Sequence, residues 1–216
     1  MSDNVLQTPL AVHEQVQSGA LSGYAVIQVD LRRIELSRRT LDDVTFRKSC
    51  LEFVPGEGVT CRDVLFEASR MRGLSLKRSL LTATRIMNCE GHELDLTESC
   101  INGLQVFDTP LSNARFTNAR LDDCVFQSAE LYGARFDSAL LVHCRFSDPR
   151  MENASLNRAV FRRALLIDVD LRGANLHGAD FEEAVCIKVD LRDTNLVRAN
   201  LEGATFVACD MAGSVR

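Results

Sequence analysis

Residues 174–206 read ANLHGADFEEAVCIKVDLRDTNLVRANLEGATF. In this stretch a large apolar residue or a cysteine recurs at every fifth position. The same column runs from Leu21 to Met211 without insertion or deletion, and only Gly56 and Gly91 interrupt it. A period of five fits neither an amphipathic helix, with a period of about 3.6, nor a strand, with a period of about 2. It predicts a chain that turns a corner every five residues and points one apolar side chain inward on each side.

Two further columns follow the same period. Two residues before each apolar position, the C-terminal half holds mostly small side chains such as Ala174 and Ala179, which we predict to point inward. Two residues after it lie most of the glycines, including Gly173 and Gly178. Glycine readily adopts the positive φ that the third residue of a type II turn requires. Four such turns would close a square coil of about 20 residues.

The tandem motif Ala-(Asp/Asn)-(Leu/Phe)-x-x, as in ANL at residues 174–176 and ADF at 179–181, resembles the pentapeptide repeat family. The resemblance covers residues 21–214, is regular over 111–211 and is degenerate over 21–106. It implies an all-β solenoid, a right-handed quadrilateral β-helix. With a strand spacing of about 4.8 Å, about 9–10 coils of about 20 residues give a rod about 45 Å long.

The ends and the interruptions of the register define the predicted domain organisation. Residues 1–20 precede the register and are predicted to form an N-terminal cap or arm, because a solenoid needs its end covered. The candidate covering residues are Val5, Leu6, Leu10, Val12 and Val16. The interruptions near residues 52–60 and 89–94 are either small loops or kinks that contact a partner, or neutral variation in a tolerant solenoid.

Composition excludes several classes of protein. The chain has 25 basic and 30 acidic residues, a formal net charge of −5, whereas general nucleic-acid binders carry a basic excess. No apolar run approaches the roughly 18–20 residues of a membrane span, and the N-terminus does not resemble a secretory signal. We therefore expect a cytoplasmic protein that binds neither membranes nor nucleic acid directly.

The eight cysteines are predicted to be structural. They include no C-x-x-C pair, and most of them lie in the inward columns, where a free cysteine behaves as a small hydrophobe. Cys50 and Cys100 fall on outward positions and are the candidate reactive thiols.

No residue pattern predicts catalysis. His13, His92, His143 and His177 are scattered, and none has a cysteine or carboxylate at the usual metal-ligand spacing. The sequence contains no phosphate-binding glycine loop and no nucleophile motif. We therefore predict a protein that is not an enzyme, with no catalytic residue, no cofactor and no metal.

Because centres 20 residues apart share a side of the coil, outward residues can be assigned to faces. One face has an apolar exterior, which typically marks an interface. Its predicted partner-binding residues are Phe107, Val125, Leu165, Ile167, Val185, Ile187 and Val207, with Ile27, Leu65 and Met87 further along the same face. The alternative is that these residues reflect only the β-propensity of a solenoid wall.

A second face is predicted to be acidic. Its acidic residues are Asp42, Asp43, Asp63, Asp122, Asp123, Asp180, Glu182, Glu183 and Glu202, interrupted by Arg62, Arg120, Arg162 and Arg163. This pattern is either an ordinary solvated face or the device by which a pentapeptide-repeat protein imitates DNA.

Two functions follow from these faces. The first is a non-enzymatic interaction module, a rigid rod that binds a protein partner or a second copy of itself through the apolar stripe. The resemblance adds one specific version, an accessory protein of a bacterial secretion system. The alternative is a DNA-mimicking protein that binds a topoisomerase, gyrase, as in the quinolone-resistance branch of the family.

Overall fold

The computed structural model describes residues 4–216, and these form a parallel β-solenoid with about 20 residues per turn. Each strand pairs in parallel with strands one coil away, so Phe46 lies opposite both Val26 and Phe66. Four corners in each coil give the quadrilateral β-helix that the five-residue period predicts. The fold prediction is confirmed.

Strands occupy two of the four sides. The first side carries an 11-stranded sheet, formed in spatial order by β1 (Asn4–Leu6), β3 (Tyr24–Ile27), β5 (Thr45–Arg47), β7 (Leu65–Glu67), β9 (Arg85–Met87), β11 (Gln105–Phe107), β13 (Val125–Gln127), β15 (Arg145–Ser147), β16 (Leu165–Ile167), β17 (Val185–Ile187) and β18 (Thr205–Val207).

The second side carries a 7-stranded sheet, formed by β2 (Ala20–Ser22), β4 (Thr40–Asp42), β6 (Thr60–Arg62), β8 (Leu80–Thr82), β10 (Cys100–Asn102), β12 (Arg120–Asp122) and β14 (Leu140–Val142). On each of the other two sides, consecutive coils are joined by isolated parallel bridges, such as Asp170 with Asp190 and Asn175 with Asn195. Both sheets and both bridged sides therefore place residues 20 apart in register.

The interior is filled by the two inward columns. Apolar centres such as Leu176 and small residues such as Ala174 and Ala179 are all 0% exposed. Phenylalanines in successive coils stack face to face, with ring centroids 4.5 Å apart for Phe116 and Phe136. Burial of each such side chain stabilises the fold by about 1.5–3 kcal/mol, so the core is a continuous apolar ladder.

The corners impose a left-handed backbone on almost every residue two positions after a centre. Gly173 and Gly178 have φ of 66° and 64°, as the glycine column predicts. Arg158 and Lys188 adopt the same region, with φ of 57° and 53°. The coil geometry therefore sets the conformation of the corner residue, and glycine is the residue that meets it with least strain.

A short helix, α1 (Pro9–Gln17), lies before the first coil. Thr8 caps it by accepting a hydrogen bond from the Ala11 N–H at 3.2 Å, and proline stands in its first turn, where no N–H partner is needed. Its Val12 and Val16 are buried, and Leu6 of β1 packs against the core.

Two of the five residues that were predicted to cover the first coil are instead exposed to solvent: Val5 is 45% exposed and Leu10 is 66% exposed. Residues 1–3 of the proposed cap lie outside the described residues.

Neither glycine interruption forms a loop. The bridge of Pro55 to Ser75 and the 2.9 Å hydrogen bond from the Gly91 N–H to the Pro110 carbonyl keep the coil register through both sites. A Cβ on Gly91 would lie 2.7 Å from Cδ2 of Leu111 in the next coil. Neighbouring leucines thus fill the space of the missing side chains, and the coil does not adopt the small loop that was one of the two alternatives at these sites.

We expect Gly91→Leu, which would restore the apolar column, to destabilise the protein by about 1–3 kcal/mol because the site is already filled. Urea denaturation followed by far-UV circular dichroism measures the change. An increase in the urea midpoint would mean that Gly91 leaves an empty cavity, and would contradict this packing.

Candidate interaction surface

The predicted apolar stripe lies on the outer surface of the 11-stranded sheet. Its side chains form two columns, because residues before and after each buried centre both point outward. In the last three coils Leu165 pairs with Val185, and Ile167 pairs with Ile187, which in turn pairs with Val207. These five residues are contiguous, and we call them the C-terminal apolar patch.

The stripe is not continuous along the whole rod. β15 places Arg145 beside Leu165 and Ser147 beside Ile167, and Gln127 precedes Ser147 in the same column. Phe107 and Val125 are therefore separated from the C-terminal apolar patch by a polar strand. The structure brings together five of the seven predicted partner-binding residues and leaves these two apart.

The C-terminal apolar patch is accessible to a partner. Val207 is 49% exposed, and the other four side chains are partly exposed. The corner beside the patch carries Lys188, whose Nζ lies 3.7 Å from Oδ1 of Asp168, and both side chains are largely in solvent. An apolar centre with a charged edge is the usual composition of a protein–protein interface.

The acidic residues lie on the 7-stranded side and form three separate clusters. The first contains Asp42, Asp43 and Asp63, the second Asp122 and Asp123, and the third Asp180, Glu182, Glu183 and Glu202. Between the first two clusters the outer surface is formed by uncharged residues, including Leu80, which is 46% exposed, and Asn102.

Two arginines offset much of the charge of the third cluster. Nε of Arg162 lies 2.6 Å from Oδ2 of Asp180 and 3.1 Å from Oε2 of Glu182, and Nε of Arg163 lies 2.7 Å from Oε2 of Glu183. Each pair joins adjacent coils. The face is therefore a series of separate acidic clusters, interrupted by uncharged residues and by arginines, rather than a continuous acidic ladder.

The two cysteines that were predicted to be reactive differ in their exposure to solvent. Cys100 is exposed as expected, but Cys50 is only 5% exposed, so the expectation that both are reactive surface thiols is wrong for Cys50. Burial raises the pKa of Cys61 and of Cys186 to about 12, which keeps these thiols protonated and unreactive at neutral pH.

Two exposed aromatic residues were not predicted from the columns. Phe53 is 63% exposed and Tyr132 is 53% exposed, both on a bridged side of the coil. The Phe53 ring covers Gly73 in the next coil, where an added Cβ would lie 2.6 Å from the ring. A glycine opposite an outward aromatic, 20 residues away, is the sequence signal that would have revealed this contact.

The fold and its outward surfaces define a solenoid repeat protein. Residues 111–148, 150–182 and 184–214 match the family model of pentapeptide repeats, in eight copies. Residues 111–214 thus consist of pentapeptide repeats, and residues 21–106 continue the same coil in degenerate form. This family is defined by a structural repeat, and the match includes no catalytic family. No curated protein matches the chain in sequence.

One solved structure with the same fold is that of a cyanobacterial protein. HetL, a pentapeptide repeat protein involved in heterocyst differentiation regulation from the cyanobacterium Nostoc sp. strain PCC 7120, is 22% identical, with a TM-score of 0.59. That alignment covers 99% of this chain and 89% of HetL. Trypsin-treated QnrB1, a plasmid-mediated fluoroquinolone resistance protein, is 14% identical over 89% of this chain and 92% of its own. Its TM-score of 0.40 is too low to support an inference.

No helix within residues 4–216 combines the length and the apolar character needed to span a membrane.

Proposed function

We propose that this protein is a non-enzymatic interaction module, a rigid rod that binds a protein partner, or a second copy of itself, through the C-terminal apolar patch. The observation that carries the proposal is the contiguity of Leu165, Ile167, Val185, Ile187 and Val207 over three adjacent strands.

Rigidity supports the proposal. The patch residues belong to β16, β17 and β18, which are hydrogen-bonded in register and stand on a column of the buried Leu166 and Cys186 and the partly buried Phe206. A surface that is already ordered loses little conformational entropy when a partner binds. The matching partner surface is apolar at its centre and carries charges that complement Asp168 and Lys188 at its edge.

The acidic clusters favour this function over imitation of DNA. Duplex DNA carries one negative charge per about 1.7 Å of helix axis, without interruption. Here Leu80 and Asn102 separate the first two clusters, and Arg162 and Arg163 lie between the second and the third. A gyrase-binding surface that imitates DNA would need a more continuous negative potential.

We expect the double variant Ile167→Lys/Ile187→Lys to abolish binding, because two ammonium groups would enter the centre of the patch and lose their hydration in any complex. The measurement is a pull-down with the immobilised chain, together with light scattering of the free protein. Wild type should retain a defined partner or a mass above the monomer, and the double variant should lose it.

The control is Gln127→Lys/Ser147→Lys, which introduces the same charges in the same outward column, one and two coils before the patch. The control should behave as wild type. If the variant and the control retain the same partners and the same mass as wild type, the patch is not the docking surface.

A further inference from the structure

One corner of the rod brings an imidazole together with two carboxylates. β12 and β14 pair in parallel with Asp122 opposite Val142, so Asp123 and His143 occupy the same corner position in consecutive coils. Nδ1 of His143 lies 3.2 Å from Oδ1 of Asp122. One ligand atom from each of Asp122, Asp123 and His143 lies within 4.8 Å of the other two.

The two carboxylates have no lysine or arginine partner. Among residues 4–216, His143 is the only ion-pair partner of Asp122, and no lysine or arginine nitrogen lies within 4.0 Å of Asp123. The third acidic cluster, on the same face, is different, because Arg162 and Arg163 pair with its carboxylates. Among the described residues, the corner therefore holds two carboxylates without a lysine or arginine ion-pair partner, beside an imidazole.

From this arrangement we infer that Asp122, Asp123 and His143 form a binding site for a divalent transition-metal ion of the zinc class. A neutral imidazole nitrogen with two carboxylate oxygens is a donor set that Zn²⁺ and Ni²⁺ accept, whereas Mg²⁺ and Ca²⁺ prefer oxygen alone. The side chains of His143 and Asp122 are 48% and 54% exposed, so an ion reaches them directly from solvent.

The scaffold favours binding, because it holds the ligands before the ion arrives. The Gly103 N–H donates to the Asp122 carbonyl at 3.0 Å, and the Asp123 and His143 backbones are fixed in the left-handed corner conformation, with φ of 52° and 55°. Little backbone entropy is then lost on binding. Three protein ligands leave the remaining coordination positions to water or to a ligand from another molecule.

The test is isothermal titration calorimetry of the full chain with Zn²⁺, and with Mg²⁺ for comparison. The chain carries Cys100→Ser throughout, because this exposed thiol is itself a zinc ligand. We expect one Zn²⁺ per chain, no comparable binding of Mg²⁺, and at least a tenfold loss of Zn²⁺ affinity in His143→Ala and in Asp122→Asn/Asp123→Asn. Zn²⁺ should also raise the thermal midpoint of the parent chain and not that of the His143 variant.

The matched control is Asp42→Asn/Asp43→Asn. These aspartates occupy the same two outward positions as Asp122 and Asp123, but Arg62 and Asp63 follow them one coil later where Val142 and His143 follow the proposed site. The control should bind Zn²⁺ as the parent does. The proposal is overturned if Zn²⁺ affinity is unchanged in both site variants, if the control loses as much affinity as they do, or if Mg²⁺ binds equally well.

Discussion

Replacement of Phe126 by alanine is expected to lower the free energy of unfolding by about 3–5 kcal/mol. Phe126 is 0% exposed and stacks on Phe146, with ring centroids 5.0 Å apart and planes 3° from parallel. It also meets Phe116 and Phe136 edge to face, at 5.8 and 6.3 Å. The substitution would leave a cavity in the middle of the rod that the hydrogen-bonded coils cannot close.

Urea denaturation monitored by far-UV circular dichroism measures the loss, and Phe53→Ala is the control. Phe53 is the same residue type but is 63% exposed, so its removal should change stability by about 0.5 kcal/mol or less. Equal losses in the two variants would mean that the aromatic ladder does not hold the fold together.

Replacement of Ala139 by aspartate is expected to lower the free energy of unfolding by as much as the Phe126 substitution, or by more. Ala139 is 0% exposed and lies in the inward small column between Ala119 and Ala159, which are also fully buried. The N–H groups of Ala119 and Ala139 already donate to backbone carbonyls, so neither of them is free to bind the new carboxylate. A buried, unpaired charge costs several kcal/mol.

The readout is again urea denaturation, at several pH values. The introduced carboxyl would have a raised pKa in the folded state, so its penalty is largest at neutral pH and shrinks as the pH falls towards the unfolded value of about 3.9. Ala83→Asp is the control, since Ala83 is an exposed corner residue with φ of 50°, a conformation that aspartate tolerates. A stable, soluble Ala139→Asp variant at neutral pH would mean that this column faces solvent.

The five-residue column was sufficient to predict the coil, the inward direction of Ala174 and Leu176, and the corner at Gly173. These features depend on side-chain size and backbone freedom alone, and both are visible in the sequence. The column also placed Ile167 and Ile187 on one surface. It gave no indication that Thr8 and Pro9 begin a capping helix, because residues 1–20 lie outside the repeat.

The remaining features depend on contacts between coils. Gly91 was interpreted as an interruption because the sequence does not reveal that the Leu111 side chain fills the space beside it. His143 looked isolated because metal-ligand motifs are short along the chain. In this fold the residue that lies beside a corner residue in the next coil is 20 positions away in the sequence. Asp123 and His143 are therefore close together although they are far apart in the sequence.

Carbene footprinting of side chains tests the proposed docking surface most directly, because it reports where a partner covers the rod. The chain would be labelled alone and in the complex recovered with its partner or with itself. We predict reduced labelling of Ile167, Ile187 and Val207, with Phe53 and Tyr132 unchanged as exposed references. Protection of the acidic clusters or of the two aromatics, with unchanged labelling of the C-terminal apolar patch, would contradict the proposed function.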